Sequence, residues 1–516
     1  MALTLGIDAS TQSVTALVFD CAEGKILQKS SVNFGADLPQ YKAPQGFIPG
    51  GRYGKVHADP RMWLDGLELA LGRLRETGAA LDKITSICGA GQQHGTVYLN
   101  QKGLEQLASL DPGKSLHDQF TGCFSRSTSP IWMDTSTTEQ CRAIEEQLGG
   151  AMEVCRRTGS IAIERFSGPQ IKRFDGHQPL AYVQTARIHL VSSFMASVLS
   201  GTDAPIEYGD GAGMNLLNLS TLDWDPELLM ATGPGLREKL PPVVPSQTEV
   251  GPVAAYFVKR YGISPQAKVV AFTGDNPSSL VGMGATQPGK VVISLGTSDT
   301  FFAAMPEPLT DPNGWGHVFG NPLGGFMTLQ CFINGSLARE KVRDALGLDW
   351  AGFSEAIAGT PAGAEGRRML PFFGPEISPR MNAEAPLTSG FASDWTGEKA
   401  SARACVEGQF LNMRLCSEWM QLKPEVIYLT GGASQNDAIA QIVANVFQAG
   451  VKRLSVPDSV ALGGALRAGL CSGDLDAKVM DAFFEEASSG ALVEPDRELA
   501  EVYAAAAREI RDLWPA

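Results

Sequence analysis

From Leu3 the chain alternates as L-x-L-x-I, breaks between Asp8 and Ser13, and resumes at Val14, Ala16 and Val18. A period of two interrupted by a polar turn predicts a β-hairpin. Glu23-Gly24-Lys25 supplies a second turn, and alternation from Ile26 to Val32 adds a third strand, so a three-stranded meander opens the chain. The Gly- and Pro-rich stretch 35–60 predicts a long loop, and the run around Trp63 to Leu74 a helix. The pattern then returns: Val291-Val292-Ile293-Ser294-Leu295, a polar turn Gly296-Thr297-Ser298-Asp299-Thr300, and Phe301-Phe302-Ala303-Ala304. A repeated strand, hydroxyl-rich turn and strand points to two similarly built halves. Between them, a helix-like stretch Val253 to Tyr261 ends at Gly262 and Pro265 before a strand from Lys268 to Thr273, which makes 251–267 the expected crossing region. Near the carboxyl end, the short apolar strand Val426 to Thr430 runs into Gly431-Gly432-Ala433-Ser434 and then a helix. In that helix Ile439, Ile442, Val443, Val446 and Phe447 share one face.

A length of 516 residues exceeds the size at which a single core stops growing, so two substantial domains are expected. The composition, 44% hydrophobic and 19% charged, is that of a chain folded throughout. The formal charge of −14 opposes binding to polyanions and argues against a nucleic-acid partner. A phosphate-bearing ligand would therefore need a local, backbone-lined site. Nine dispersed cysteines, never in C-x-x-C spacing, fit reduced thiols, and no run is long and apolar enough to span a bilayer. With no basic, apolar leader at the start, a cytoplasmic location and no membrane partner are expected. The six scattered histidines build no transition-metal spacing, so any metal should be a hard cation held by carboxylate.

Five segments carry candidate chemistry. The turn Asp8-Ala9-Ser10-Thr11-Gln12-Ser13 sets a carboxylate and hydroxyls beside backbone amides, a combination that suits phosphate with Mg²⁺ on the acid, or equally a plain polar hairpin turn. Ser294 to Ser298 offers the same chemistry without the acid. Gly431-Gly432-Ala433 removes side-chain bulk at a strand end, and Asn436 opens the next helix, which suits a nucleotide or tight strand–helix packing. Asp275, at the end of the apolar strand Ala271-Phe272-Thr273-Gly274, can serve as a general base for a hydroxyl or as a helix N-cap. Gly89 to Gly95 projects Gln92, Gln93 and His94 from a small-residue turn and suits sugar hydroxyls, with Arg165 as a second polyol contact or a surface ion-pair partner.

Taken together, Gly6-Ile7-Asp8-Ala9-Ser10-Thr11, Ser294-Leu295-Gly296-Thr297-Ser298 and Gly431-Gly432-Ala433 resemble the phosphate and adenosine motifs of the FGGY carbohydrate kinase family, in the expected order along nearly the whole chain. Gly91 to Gly95, Ile131-Trp132-Met133-Asp134, Glu164-Arg165-Phe166 and Tyr208 to Asn215 resemble its D-xylulose branch more narrowly. The resemblance implies two actin-like (ribonuclease H-like, ASKHA) α/β domains with a catalytic cleft between them. Residues 1–256 would carry the sugar site and first phosphate motif, and 257–516 the nucleotide site and general base. It implies transfer of the ATP γ-phosphate to D-xylulose, with ribulose, fuculose or glycerol as alternative acceptors and a non-catalytic sugar sensor as a different class. Asp275 would be the base, and Asp8 would help to hold Mg²⁺ and the γ-phosphate. His94, Arg165, Asp275 and Asn276 would hold the sugar. Ser10, Thr11, Gly296, Thr297, Trp350, Gly431, Gly432, Ala433 and Asn436 would face the nucleotide. Asp210 matches a family signature that would carry an architectural role, and a homodimer is left open. The chain departs from the pattern at Ser10, where many relatives have glycine, at Pro277-Ser278-Ser279 after the base, and after Gly374, where the usual basic residue is missing.

Overall fold

The computed structural model describes residues 2–514. The opening meander consists of the antiparallel strands Leu3–Ala9, Ser13–Asp20 and Lys25–Asn33. Their burial follows their place in the sheet. Leu3–Ala9 is covered on both faces, as a central strand must be, whereas Lys25–Asn33 alternates buried and exposed positions at the edge. Within the expected long loop lie a short helix, Phe34–Asp37, and a two-residue strand, His57–Ala58. Helix Pro60–Glu76 starts where Asp59 caps the Arg61 amide and Pro60 presets the first turn, and it buries Trp63, Leu67, Leu71 and Leu74.

Strand Ile84–Gly91 runs parallel to Leu3–Ala9 with Asp8 opposite Ala90. On its other side lie Lys268–Val270 and then Thr273–Gly274, which pairs with Ala90 and Gly91, so the strand expected over 268–273 is interrupted at Ala271-Phe272. Glu249–Pro252 closes this side antiparallel. The second half repeats the plan. Phe326–Phe332, Asp299–Met305 and Lys290–Leu295 are three successive strands of its sheet, Val426–Thr430 and Gly450–Leu454 follow in parallel, and Ser488–Val493 is the antiparallel edge. The duplicated hairpin in the sequence therefore marks a duplicated sheet.

The chain forms two compact units, one of residues 1–284, 318–326 and 456–485, the other of 285–317, 327–455 and 486–516. The boundary expected at 256/257 is corrected by this division, since Tyr256 and Phe257 lie within one helix, Ala255–Tyr261, of the first unit. Asp275, expected in a carboxyl-terminal domain, belongs to the first unit as well. So does helix Ser459–Ser472, for a packing reason. A Cβ on Gly463 would come within 1.9 Å of Ser278 O, one on Gly6 within 1.9 Å of Ala461 O, and one on Gly464 within 2.8 Å of Gly89 Cα. Only glycine lets this helix lie directly on the first strands and on helix Asp275–Gly282.

Candidate functional site

In the first unit the two parallel strands and the short segment Thr273–Gly274 end side by side, and their ends carry the polar residues. Such carboxyl ends are where α/β sheets present ligand-binding groups. At the first end, Ser10 Oγ donates to the Asp8 carboxylate, 2.7 Å to each oxygen. Thr11 Oγ1 donates to Gln92 Oε1 at 3.3 Å and accepts from Trp132 Nε1 at 2.8 Å. At the second end Gln92, Gln93 and His94 are buried, and the side-chain nitrogens of both glutamines have no hydrogen-bond partner among the described residues. His94 has φ +69° and its Nδ1 donates to Gly213 O at 2.7 Å, which fixes the proton on that nitrogen in the neutral ring. Its ring centroid lies 4.3 Å from that of Phe166, and the Arg165 guanidinium lies 5.9 Å over the same phenyl ring.

At the third end Asp275 opens helix Asp275–Gly282, and its N-cap is Gly274, so capping does not account for the acid. The Asp275 carboxylate accepts from the amides of Asn276 at 2.8 Å and Gln93 at 3.3 Å, and Asn276 Nδ2 donates to Gln93 Oε1 at 2.7 Å. Burial pushes Asp275 up to about 6, against the lowering effect of those amides. Burial also pushes Asp8 up to about 7, opposed by the Ser10 hydrogen bond and reinforced by the negative charges of Asp275 and Asp458. Asp458, just before helix Ser459–Ser472, carried no motif signal; it enters because the glycine-lined helix brings it near. Behind these groups, Glu207 accepts from Thr273 Oγ1, Ser246 Oγ and, at 3.2 Å, the amide of Asp210. The segment Tyr208 to Asn215 thereby holds the strand end that leads to Asp275 and supplies the carbonyl that orients His94.

The other expected residues gather in the second unit around a cavity of about 520 Å³ lined by Gly296, Thr297, Trp350, Gly432, Ala433 and Asn436, together with Arg339, Phe353, Ser354 and Ile439. Gly431 does not line it. With φ +89° its missing Cβ would sit 2.2 Å from Leu295 O, so it lets the strand Val426–Thr430 turn beside its parallel neighbour. Asn436 caps helix Asp437–Phe447 by accepting from the Ile439 amide at 3.1 Å and donates to Ser354 Oγ at 2.6 Å. Trp350 begins helix Trp350–Gly359 and is 47% exposed, an indole face available beside Phe353, with the Arg343 guanidinium 4.3 Å from its ring. Arg339 and Phe353 escaped the sequence reading because one is an ordinary helical arginine and the other an ordinary core aromatic.

The arrangement matches a family. Residues 128–282 match the N-terminal domain model of the FGGY family of carbohydrate kinases, and residues 291–471 its C-terminal domain model. The chain is 42% identical over 483 residues to xylulose kinase of Rattus norvegicus, covering 91% of this chain and 88% of that protein. This chain belongs to the FGGY carbohydrate kinases. To xylulose kinase 2 of Arabidopsis thaliana the identity is 39% over 485 residues, with 90% and 86% covered. In fold the FGGY chain is similar to the crystal structure of a xyloylose kinase from Brucella ovis, with a TM-score of 0.81, 20% identity and 99% of each chain covered. That likeness fixes the two-domain actin-like α/β fold. Membership of the family fixes the class of chemistry as phosphoryl transfer to an alcohol group, with ATP as the donor that kinases of this kind use. No helix among the described residues is long and apolar enough to cross a membrane.

Proposed function

We propose that this FGGY kinase transfers the γ-phosphate of ATP to D-xylulose, giving D-xylulose 5-phosphate and ADP. The observation that carries the reading is the strand-end cluster in the first unit, where a carboxyl whose pKa is raised to about 6 adjoins two buried glutamines whose side-chain nitrogens have no partner among the described residues. A hydroxyl nucleophile needs an acceptor for its proton and donors for its neighbours, and this cluster supplies both. The identity of the sugar comes from relatives at 42% and 39% identity that are xylulose kinases.

In this reading the Asp275 carboxylate takes the proton as the sugar oxygen bonds to the γ-phosphorus and the bond to the ADP oxygen breaks. His94, Arg165 and Asn276 hold the sugar, with Gln92 and Gln93 supplying further hydrogen bonds. Ser10 and Thr11 face the transferred phosphate, while the cavity of the second unit takes the adenosine through Trp350, Gly432, Ala433 and Asn436. Gly296 and Thr297 sit toward the phosphates. Magnesium fits at Asp8, because the negative charges of Asp275 and Asp458 favour a cation there. A magnesium ion held there by one carboxylate would complete its shell with waters and phosphate oxygens. When bound with the nucleotide, it supplies charge neutralisation on the phosphates. Among the described residues no cysteine is joined in a disulfide, which supports a reducing, cytoplasmic location.

The test is a substrate panel. Among D-xylulose, D-ribulose, L-ribulose, L-fuculose and glycerol at saturating ATP, D-xylulose is expected to give the highest kcat/KM. Each hydroxyl that fails to meet its buried donor costs roughly 1–3 kcal/mol, about tenfold or more in rate, so glycerol should trail by at least about 100-fold. A different ketose at the head of the ranking would remove xylulose and leave phosphoryl transfer in place.

A further inference from the structure

The wall of the second unit's cavity contains an ion pair that the proposed reaction does not use. Asp299 is the first residue of the strand Asp299–Met305, directly after the turn Gly296-Thr297-Ser298, and Arg339 lies in the first turns of helix Ser336–Ala345. Their side chains are 2% and 1% exposed, and they meet fork to fork, Arg339 Nη1 to Asp299 Oδ2 at 2.8 Å and Nη2 to Oδ1 at 3.0 Å. Nη1 also donates to Gln409 Oε1 at 3.0 Å, and Gln409 Nε2 donates to the carbonyls of Asn334 at 2.7 Å and Gly335 at 3.0 Å. Arg339 Nε has no hydrogen-bond partner among the described residues, and the side chain reaches the cavity.

These bonds converge on one turn. At the start of the turn Gly296 O accepts from the Ser336 amide at 2.9 Å, and at its end Asp299 is held by the Arg339 fork. Gly335 lies so close beneath the turn that a Cβ there would fall 2.7 Å from Thr297 O and 2.8 Å from the Asp299 amide. The turn is thus held from both ends and from below, while Thr297 and Ser298 themselves are exposed. We propose that the buried Asp299–Arg339 pair is a positioning clamp that presets the Gly296–Ser298 turn for the polyphosphate of a bound nucleotide, while the base and ribose depend on the Trp350 and Phe353 side of the cavity. The inference rests on reading this cavity as the nucleotide site.

Stability does not require such a pair. Desolvating two charges cancels most of their attraction, and buried pairs are often replaced by apolar residues of similar volume without loss of stability. Burial works against the Arg339 charge, yet the charge of Asp299 and its hydrogen bonds outweigh it and raise the arginine's pKa, so the guanidinium stays ionised. What an apolar pair cannot do is tie the end of the turn at Asp299, through Arg339 and Gln409, to the Asn334 and Gly335 carbonyls beneath it. Preset amides cost a ligand nothing to organise, so losing the clamp should weaken phosphate binding selectively.

The test is a calorimetric titration of the full chain with ADP, in magnesium chloride, and separately with adenosine. The double variant Asp299→Leu/Arg339→Met removes both charges together and is expected to keep the melting temperature of the wild type. Its ADP affinity should fall at least about tenfold while adenosine affinity stays within about twofold. Should that variant not fold, Arg339→Lys keeps the cation, loses the fork, and should show the same split in smaller measure. A folded variant that binds ADP within twofold of wild type overturns the clamp, and so does an equal loss for ADP and adenosine, which would make the pair a general support of the cavity. Ala433→Phe, which fills the cavity, separates the two levels. If it leaves ADP binding intact, the nucleotide reading falls and the clamp with it, whereas failure of the clamp alone leaves the Ala433→Phe loss in place.

Discussion

Replacing Asp275 by asparagine is expected to leave a folded protein that binds both ligands and turns over about 10²- to 10⁴-fold more slowly, the range for loss of a positioned general base. The amide has the shape of the carboxylate and can still accept from the Asn276 and Gln93 amides, so the local geometry should survive. It cannot accept the hydroxyl proton. The raised value of about 6 adds two measurable consequences. In the wild type, kcat/KM should fall as pH drops through about 6, because the base becomes protonated before substrate arrives. Stability runs the other way. A carboxyl whose folded pKa lies above its unfolded value of about 3.9 contributes stability that is full below that value and is lost as pH rises toward 6. At pH 7.5 the ionised acid is therefore a burden of order 1–3 kcal/mol, and Asp275→Asn should melt no lower than the wild type. Turnover within a few-fold of wild type, in protein purified free of host kinase, would remove Asp275 from the base role.

Asp8→Asn is expected to act through the metal. Burial and the charges of Asp275 and Asp458 push Asp8 up to about 7, which leaves the carboxyl poorly ionised at neutral pH unless a cation compensates. Asparagine keeps an acceptor for Ser10 Oγ, so the turn should hold, but it offers a weaker oxygen to the ion. The half-saturating Mg²⁺ concentration should rise at least about tenfold and kcat fall about 100-fold, since a hydrated ion held by few protein ligands loses much with one carboxylate. Sugar affinity, measured without nucleotide, should stay within about twofold. An unchanged Mg²⁺ titration together with weakened sugar binding would move Asp8 out of the phosphate site.

The alternation Leu3-x-Leu5-x-Ile7, its return at 291–295 and the glycines 431 and 432 pointed to two similarly built halves, because the period of two and the need for small residues at a strand end are local properties. The same holds for Asp8, Gln92 to His94 and Asp275, each placed at or directly after the end of an apolar strand. Other features depend on residues far apart in the chain. Asp458 acts on Asp8 only because Gly463 and Gly464 let a late helix lie on the first strands, and that same contact draws 456–485 into the first unit and defeats a boundary drawn by sequence position. The Asp299–Arg339 pair spans 40 residues and has no motif, since an aspartate after a turn and an arginine in a helix are individually ordinary. The pKa values of Asp8 and Asp275 likewise follow from how much protein surrounds each carboxyl, which periodicity does not encode. Sequence by itself determined which elements form and which residues stand at their ends, because backbone sterics and alternation act over a few residues. Only the tertiary structure decided which ends meet, since close approach, desolvation and charge coupling act through space.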